Sequence, residues 1–176
     1  MNISNSWHQN IITNPRVLIV EDESEMAELI ADMIRKGGVE VRIAGDGSAG
    51  LQAVEEFDPD VVIADLKMPL MRGDEMLVDL RARGFRKPVI VLTGFGDEEA
   101  LVKAFRYDAF DFLDKPIPKE ILIAVVHKAL RVENERLILE AMVSDLTARL
   151  EKGGQKIDPV ELVKNAQERV MNRRKA

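Results

Sequence analysis

The chain has 176 residues, 46% of them hydrophobic, with a formal net charge of −6 and no cysteine. That length suits one domain of ordinary size plus an appendage, and the missing cysteines exclude disulfides and thiolate metal sites. No apolar run approaches the roughly 20 residues of a membrane helix, and the acidic balance argues against nonspecific nucleic-acid binding by the main domain.

Residues 1–14 are polar and lack the charged start and apolar centre of a signal peptide, so they are expected to form a disordered lead-in to a cytoplasmic protein. Arg16 to Val20 reads as a short apolar strand running into Glu21-Asp22-Glu23. Ser24 is the expected cap of a helix carrying Met26, Leu29, Ile30, Met33 and Ile34, stopped at Gly37-Gly38. Glu40 to Ala44 alternates as a strand, and Ser48 is the expected cap of a helix that closes at Asp58-Pro59. Val61 to Ala64 lacks helical spacing and reads as a buried parallel strand that ends in Asp65. A helix from about Asp74 to Arg83, a buried strand Pro88 to Leu92 ending at Thr93-Gly94, and a helix Asp97 to Arg106 follow. Ala109 to Leu113 is a last short strand before Asp114-Lys115-Pro116, and a long helix starts at Lys119.

Five repeats of strand then helix imply an α/β fold, a doubly wound five-stranded parallel sheet with helices on both faces. In such a sheet every strand ends at the same edge, where open α/β folds bind ligands. Glu21 and Asp22, Asp65, Thr93 and Lys115 therefore converge there. Carboxylates brought together repel one another, and a hard divalent cation such as Mg²⁺ relieves that conflict. A lysine, a hydroxyl donor and a metal around one carboxylate suit phosphoryl binding, which depends on positioning and charge neutralisation. A carboxylate can itself be the nucleophile and form an acyl phosphate.

Four pieces carry a resemblance: Val20-Glu21-Asp22-Glu23, Asp65-Leu66-Lys67-Met68-Pro69 with Met71 and Gly73, Val91-Leu92-Thr93-Gly94, and Asp111-Phe112-Leu113-Asp114-Lys115-Pro116. With them the chain resembles the receiver domain of bacterial two-component response regulators over about residues 15–131. The resemblance implies a flavodoxin-like receiver fold, (βα)5. It also implies that Asp65 accepts a phosphoryl group from a histidine kinase or phosphotransfer protein in a Mg²⁺-dependent reaction. Asp22 would ligate the metal directly and Glu21 through water, and the backbone carbonyl of Lys67 would complete the protein ligands. Thr93 and Lys115 would hold the phosphoryl oxygens, and Phe112 would change rotamer as Thr93 moves. The Lys115–Pro116 bond would be cis. Gly94 departs from the alanine common at that place in the family. The implied protein is a signalling switch rather than an enzyme with an external substrate.

Beyond the receiver, helical pattern continues over residues 132–151. Val125, Ala129, Val132, Arg136, Leu139, Val143, Leu146 and Leu150 form a heptad seam interrupted by Arg136, and Leu137, Ile138 and Met142 widen the apolar face. Self-association, as a homodimer, or docking on a partner is expected in preference to a long helix folded back on its own domain. Residues 152–176 hold the break Gly153-Gly154, then Asp158-Pro159-Val160-Glu161 as the start of a final helix to about Asn172, and a basic end. The receiver is expected either to act through these helices or to be the N-terminal part of a longer regulator, a transcriptional activator or an enzyme. A Mg²⁺-dependent phosphohydrolase is the rival, but it would need a second acid where Lys67 stands. A flavodoxin-like cofactor binder would place phosphate against Glu21-Asp22-Glu23, which repel it.

Overall fold

Alternation of side chains along each strand sorts the apolar residues into two layers. The computed structural model describes residues 12–35, 38–94, 98–151 and 158–173, apart from the side chains of residues 98, 100 and 101. Its strands are β1 (Arg16–Val20), β2 (Glu40–Ala44), β3 (Val61–Asp65), β4 (Val89–Thr93) and β5 (Asp111–Asp114). Its helices are α1 (Ser24–Arg35), α2 (Gly47–Phe57), α3 (Gly73–Ala82), α4 (Glu98–Arg106), α5 (Lys119–Glu151) and α6 (Pro159–Asn172). All strand pairs are parallel, in the order β2-β1-β3-β4-β5. Val17, Ile19, Val61, Ile63, Ile90 and Leu92 face α1 and α5, while their neighbours Leu18, Val20, Val62, Ala64, Val89 and Val91 face α2, α3 and α4. The expected doubly wound sheet is therefore present, with β1 and β3 adjacent at the point where strand order reverses.

Two caps differ from expectation. Asp46, not Ser48, caps α2, because its carboxylate reaches the amides of both Ser48 and Ala49, at 2.7 and 2.9 Å. Ser24 is already the first residue of α1, and the amide of Ala27 donates to the carbonyl of Glu23 at 2.9 Å. Asp58 ends α2 in a left-handed conformation, φ 46°, with its amide donating to the carbonyl of Val54. The breaks at Gly37 and at Gly153-Gly154, residue Asp97, residues 1–11 of the lead-in and the basic end after Arg173 lie outside the described residues.

The last part of the lead-in is held, against the expectation of disorder through residue 14. Ile12 is buried against Leu137 and Val170, and the Thr13 hydroxyl donates to the carbonyl of Met171 at 2.7 Å. An apolar side chain with a complementary groove outweighs the polar composition around it. That groove exists because α6 turns back along α5. Leu162, Ala166 and Val170 of α6 are buried, Arg169 pairs with Asp145 and Arg149 with Glu161, and Arg173 reaches Asp58 at the end of α2, 3.2 Å away. α6, rather than a fold-back of the long helix, covers part of the apolar surface of α5.

Arg136, which interrupts the seam, is tied to its own helix. Its guanidinium donates to both oxygens of Glu133, at 2.8 and 2.7 Å, and to Glu140. Glu133 is wholly buried, so Arg136 neutralises a carboxylate that has left water. Arg136→Leu is expected to destabilise the chain by about 3 kcal/mol in chemical denaturation, because breaking a buried pair strands its charge. The double variant with Glu133→Leu should recover most of that loss.

Candidate functional site

Parallel strands bring their C-terminal residues to one edge. β3 ends in Asp65, which is buried beside its neighbours; it pairs in register with Leu92, so Thr93 stands one step further along β4. Thr93 in turn pairs with Asp114, and the amide of Lys115 donates to the carbonyl of Thr93 at 2.9 Å. On the other side, the amide of Glu21 donates to the carbonyl of Ala44 at 3.0 Å, continuing the ladder past the end of β1. Backbone register alone thus assembles four of the expected positions.

Lys115 closes the group. Its ammonium donates to Glu21 Oε2 at 2.7 Å and to Asp65 Oδ2 at 2.8 Å, linking the ends of β1 and β3 to the segment after β5. Burial pulls the lysine pKa down, but the bonds to Asp65 and Glu21 outweigh it and leave the group above its ordinary value. Glu21 is itself buried, and that burial, together with the charge of Asp65, raises its pKa despite Lys115. The peptide bond Lys115–Pro116 is cis, as the resemblance implies.

Glu21, Asp22 and Asp65 each offer a carboxylate oxygen, and these lie within 4.8 Å of one another. Two of the three are buried and Asp22 is exposed, leaving the cluster open on one side. Such an all-oxygen donor set with room for water fits a hard divalent cation better than a soft one. Lys67 is exposed, and its amide donates to Asp65 Oδ1 at 3.2 Å, so this residue sits at the cluster through its backbone. Thr93 is buried, with its hydroxyl 3.3 Å from the carbonyl of Gly94. Phe112 is half-buried against the α2–α3–α4 layer. The structure therefore brings together Glu21, Asp22, Asp65, Lys67 and Lys115, and holds Thr93 at the same edge.

The segment between β3 and α3 is shaped by two close approaches. A Cβ on Gly73 would lie 1.9 Å from the carbonyl oxygen of Asp65, and one on Gly47 would lie 2.8 Å from that of Met71. Only glycine lets the backbone fold back so tightly under the carboxylate.

A second charged group was not legible in the sequence. Asp74, buried at the start of α3, accepts from Arg72 Nε at 3.0 Å and pairs with Lys103 of α4 at 3.0 Å. It ties the loop after Asp65 to α4, and no local pattern links residues 29 apart. Burial raises the carboxyl pKa, but Arg72 and Lys103 outweigh it and hold the group below its ordinary value. A lowered folded pKa contributes stability above the unfolded value of 3.8, and that contribution is lost as pH falls through the folded value. Asp74→Asn is therefore expected to lower stability by about 1 kcal/mol at neutral pH, a modest figure because both cations are partly exposed. The difference between the two proteins in denaturation should narrow as the solution is acidified below pH 3.8.

A family model described as the response regulator receiver domain matches residues 17–127. Among curated proteins, the regulatory protein AtoC of Escherichia coli is 34% identical over 119 residues, which are 68% of this chain and 26% of that protein. The transcriptional regulatory protein FixJ of Bradyrhizobium diazoefficiens is 28% identical over 138 residues, 78% of this chain and 67% of that protein. The chain thus spans about a quarter of the first of these relatives. Among solved structures, the receiver domain of NtrX from Brucella abortus is 31% identical with a TM-score of 0.61, covering 65% of this chain and 97% of that one. A structure of NtrX from the same organism, 29% identical with a TM-score of 0.66, matches 82% of this chain and 32% of its own.

Proposed function

The chain belongs to the response regulator receiver domain family, and from that premise we propose that it is a phosphoacceptor switch acting at Asp65. The observation that carries this reading is Lys115 bonded at once to Glu21 and Asp65, with Asp22 beside them at the open end of the sheet. In the proposed reaction a carboxylate oxygen of Asp65 attacks the phosphorus of a phosphohistidine on a histidine kinase or phosphotransfer protein. The phosphorus–nitrogen bond breaks, its electron pair stays with the imidazole, and an aspartyl phosphate remains.

Each neighbouring side chain has a part in that transfer. Lys115 orients Asp65 before the reaction and afterwards donates to a phosphoryl oxygen. The Thr93 hydroxyl donates to another, turning from the carbonyl of Gly94. Its movement leaves room for Phe112 to swing further into the α3–α4 layer, so the state of Asp65 reaches the surface formed by α4 and β5. Glu21, Asp22, Asp65 and the carbonyl of Lys67 would hold Mg²⁺, which when bound neutralises the carboxylates and the incoming phosphoryl charge. Glu21, engaged by Lys115, would act on the ion through water, and exposed Asp22 would ligate it directly. The output is carried by α5 and α6, through self-association or a partner that binds these helices.

Asp65→Asn is expected to remove Mg²⁺-dependent phosphorylation by acetyl phosphate, with the fold intact by circular dichroism. Intact mass should show one added phosphoryl group on the wild type and none on the variant; stoichiometric label on the variant would refute the assignment. In metal titrations, Asp22→Ala should weaken Mg²⁺ binding by about tenfold or more and Glu21→Ala by less, and equal losses would contradict the division between direct and distant ligand.

A further inference from the structure

The helix α5 has two apolar faces, and the described residues of the chain cover one of them. Leu137, Ile138 and Ala141 pack with α6 and Ile12. On the opposite side, Val132, Leu139, Val143 and Leu150 lie exposed, at 41, 60, 61 and 72%. At about 100° per residue these four fall within one narrow stripe, on the side of the cylinder away from α6. With Arg136 and half-buried Leu146 they keep the 4-3 spacing of a helix seam. α6 therefore does not satisfy the seam. It covers the back of the helix.

We propose that this stripe pairs antiparallel with the same stripe of a second copy of the chain. The proposal deepens the helix-borne output put forward above and is independent of the chemistry at Asp65. Charge decides the direction. In a parallel pair, Arg136 and its two glutamates would face the same group of the second copy inside the seam, and Glu135 would flank Glu140 twice. In the antiparallel register Val132 faces Leu150, Arg136 faces Leu146 and Leu139 faces Val143, each contact occurring twice about the two-fold axis. Glu135 then lies beside Arg149 of the second copy, an attractive contact made twice, which Arg149 shares with its long 3.9 Å pair to Glu161 of its own chain. Glu140 approaches its own counterpart once, a repulsion that Arg136, shared between Glu133 and Glu140, offsets only in part. Six layers result over a stretch of about 27 Å, and the two receivers lie at opposite ends.

The absence of native cysteine makes the register directly testable. Single Val132→Cys and double Val132→Cys/Leu150→Cys variants of the full chain are oxidised mildly and resolved without reductant, with sedimentation of the reduced proteins alongside. Both sites are exposed, so neither variant disturbs the core. The expected result is a dimer by sedimentation and efficient disulfide-linked dimer from the double variant only. Position 132 would be separated from its own counterpart by about 27 Å, too far for a single variant to link. Leu139→Lys is expected to raise the dimer dissociation constant about 100-fold or more, since it buries a charge in an apolar layer. Efficient linkage of Val132→Cys alone would mean a parallel pair and overturn the proposal while leaving helix-borne output in place. A chain that stays monomeric at high concentration would overturn self-pairing altogether. Phosphorylation of Asp65, read by intact mass on the same samples, stands or falls separately.

Discussion

Three carboxylates converge at one end of a parallel sheet, and their mutual repulsion is the constraint to which the surrounding structure responds. Glu21 and Asp65 follow or end adjacent strands, so the register that buries Val17–Val20 and Val61–Ala64 also forces these acids together. Their charges cannot be diluted by solvent, because both side chains are buried. Lys115 answers this from the far side of the sheet, spanning β3 and β4 to reach both. A single ammonium cannot neutralise three carboxylates, so net negative charge remains at the strand ends, in a donor set that fits a hard cation.

The same end of the sheet also holds two close backbone approaches. Gly73 passes against the carbonyl of Asp65, and Gly47 passes against Met71, so the loop after β3 is closed on itself and held against the start of α2. Arg72 and Asp74 then continue the chain of contacts to Lys103 on α4. Asp65, the loop after it, α3 and α4 are therefore a connected set of elements. The loop is thus joined through Arg72 and Asp74 to Lys103 of α4.

The C-terminal helices follow a different logic. α5 begins as a sheet-covering helix, with Leu122, Val126, Ala129 and Leu130 in the core, and continues past the body of the domain without changing its apolar content. Beyond the sheet that content needs new cover. α6 and Ile12 supply it on one side, fastened at the far end by Arg173 on Asp58. Glu133 and Arg136 mark the transition, a buried charge and its neutralising partner at the point where the helix leaves the sheet.

Much of this was legible in the sequence, for reasons that are local. Strand runs such as Val61–Ala64, the helix breakers and the Asp158-Pro159 start of α6 are decided by neighbouring residues, and the order of strands and helices then determines which edge collects the acids. Because the site lies on strand ends, Glu21, Asp22, Asp65, Thr93 and Lys115 could be placed before any side chain was. The cap of α2 was misread because Asp46 and Ser48 are both competent and only backbone direction chooses between them. The hold on Ile12, the Asp74–Lys103 link and the covering of α5 by α6 were decided by tertiary structure alone. Each joins residues tens of positions apart through shape and charge that no short window contains. Periodicity could show that α5 is apolar on more than one side. Only packing could decide which side α6 would take and which would remain open.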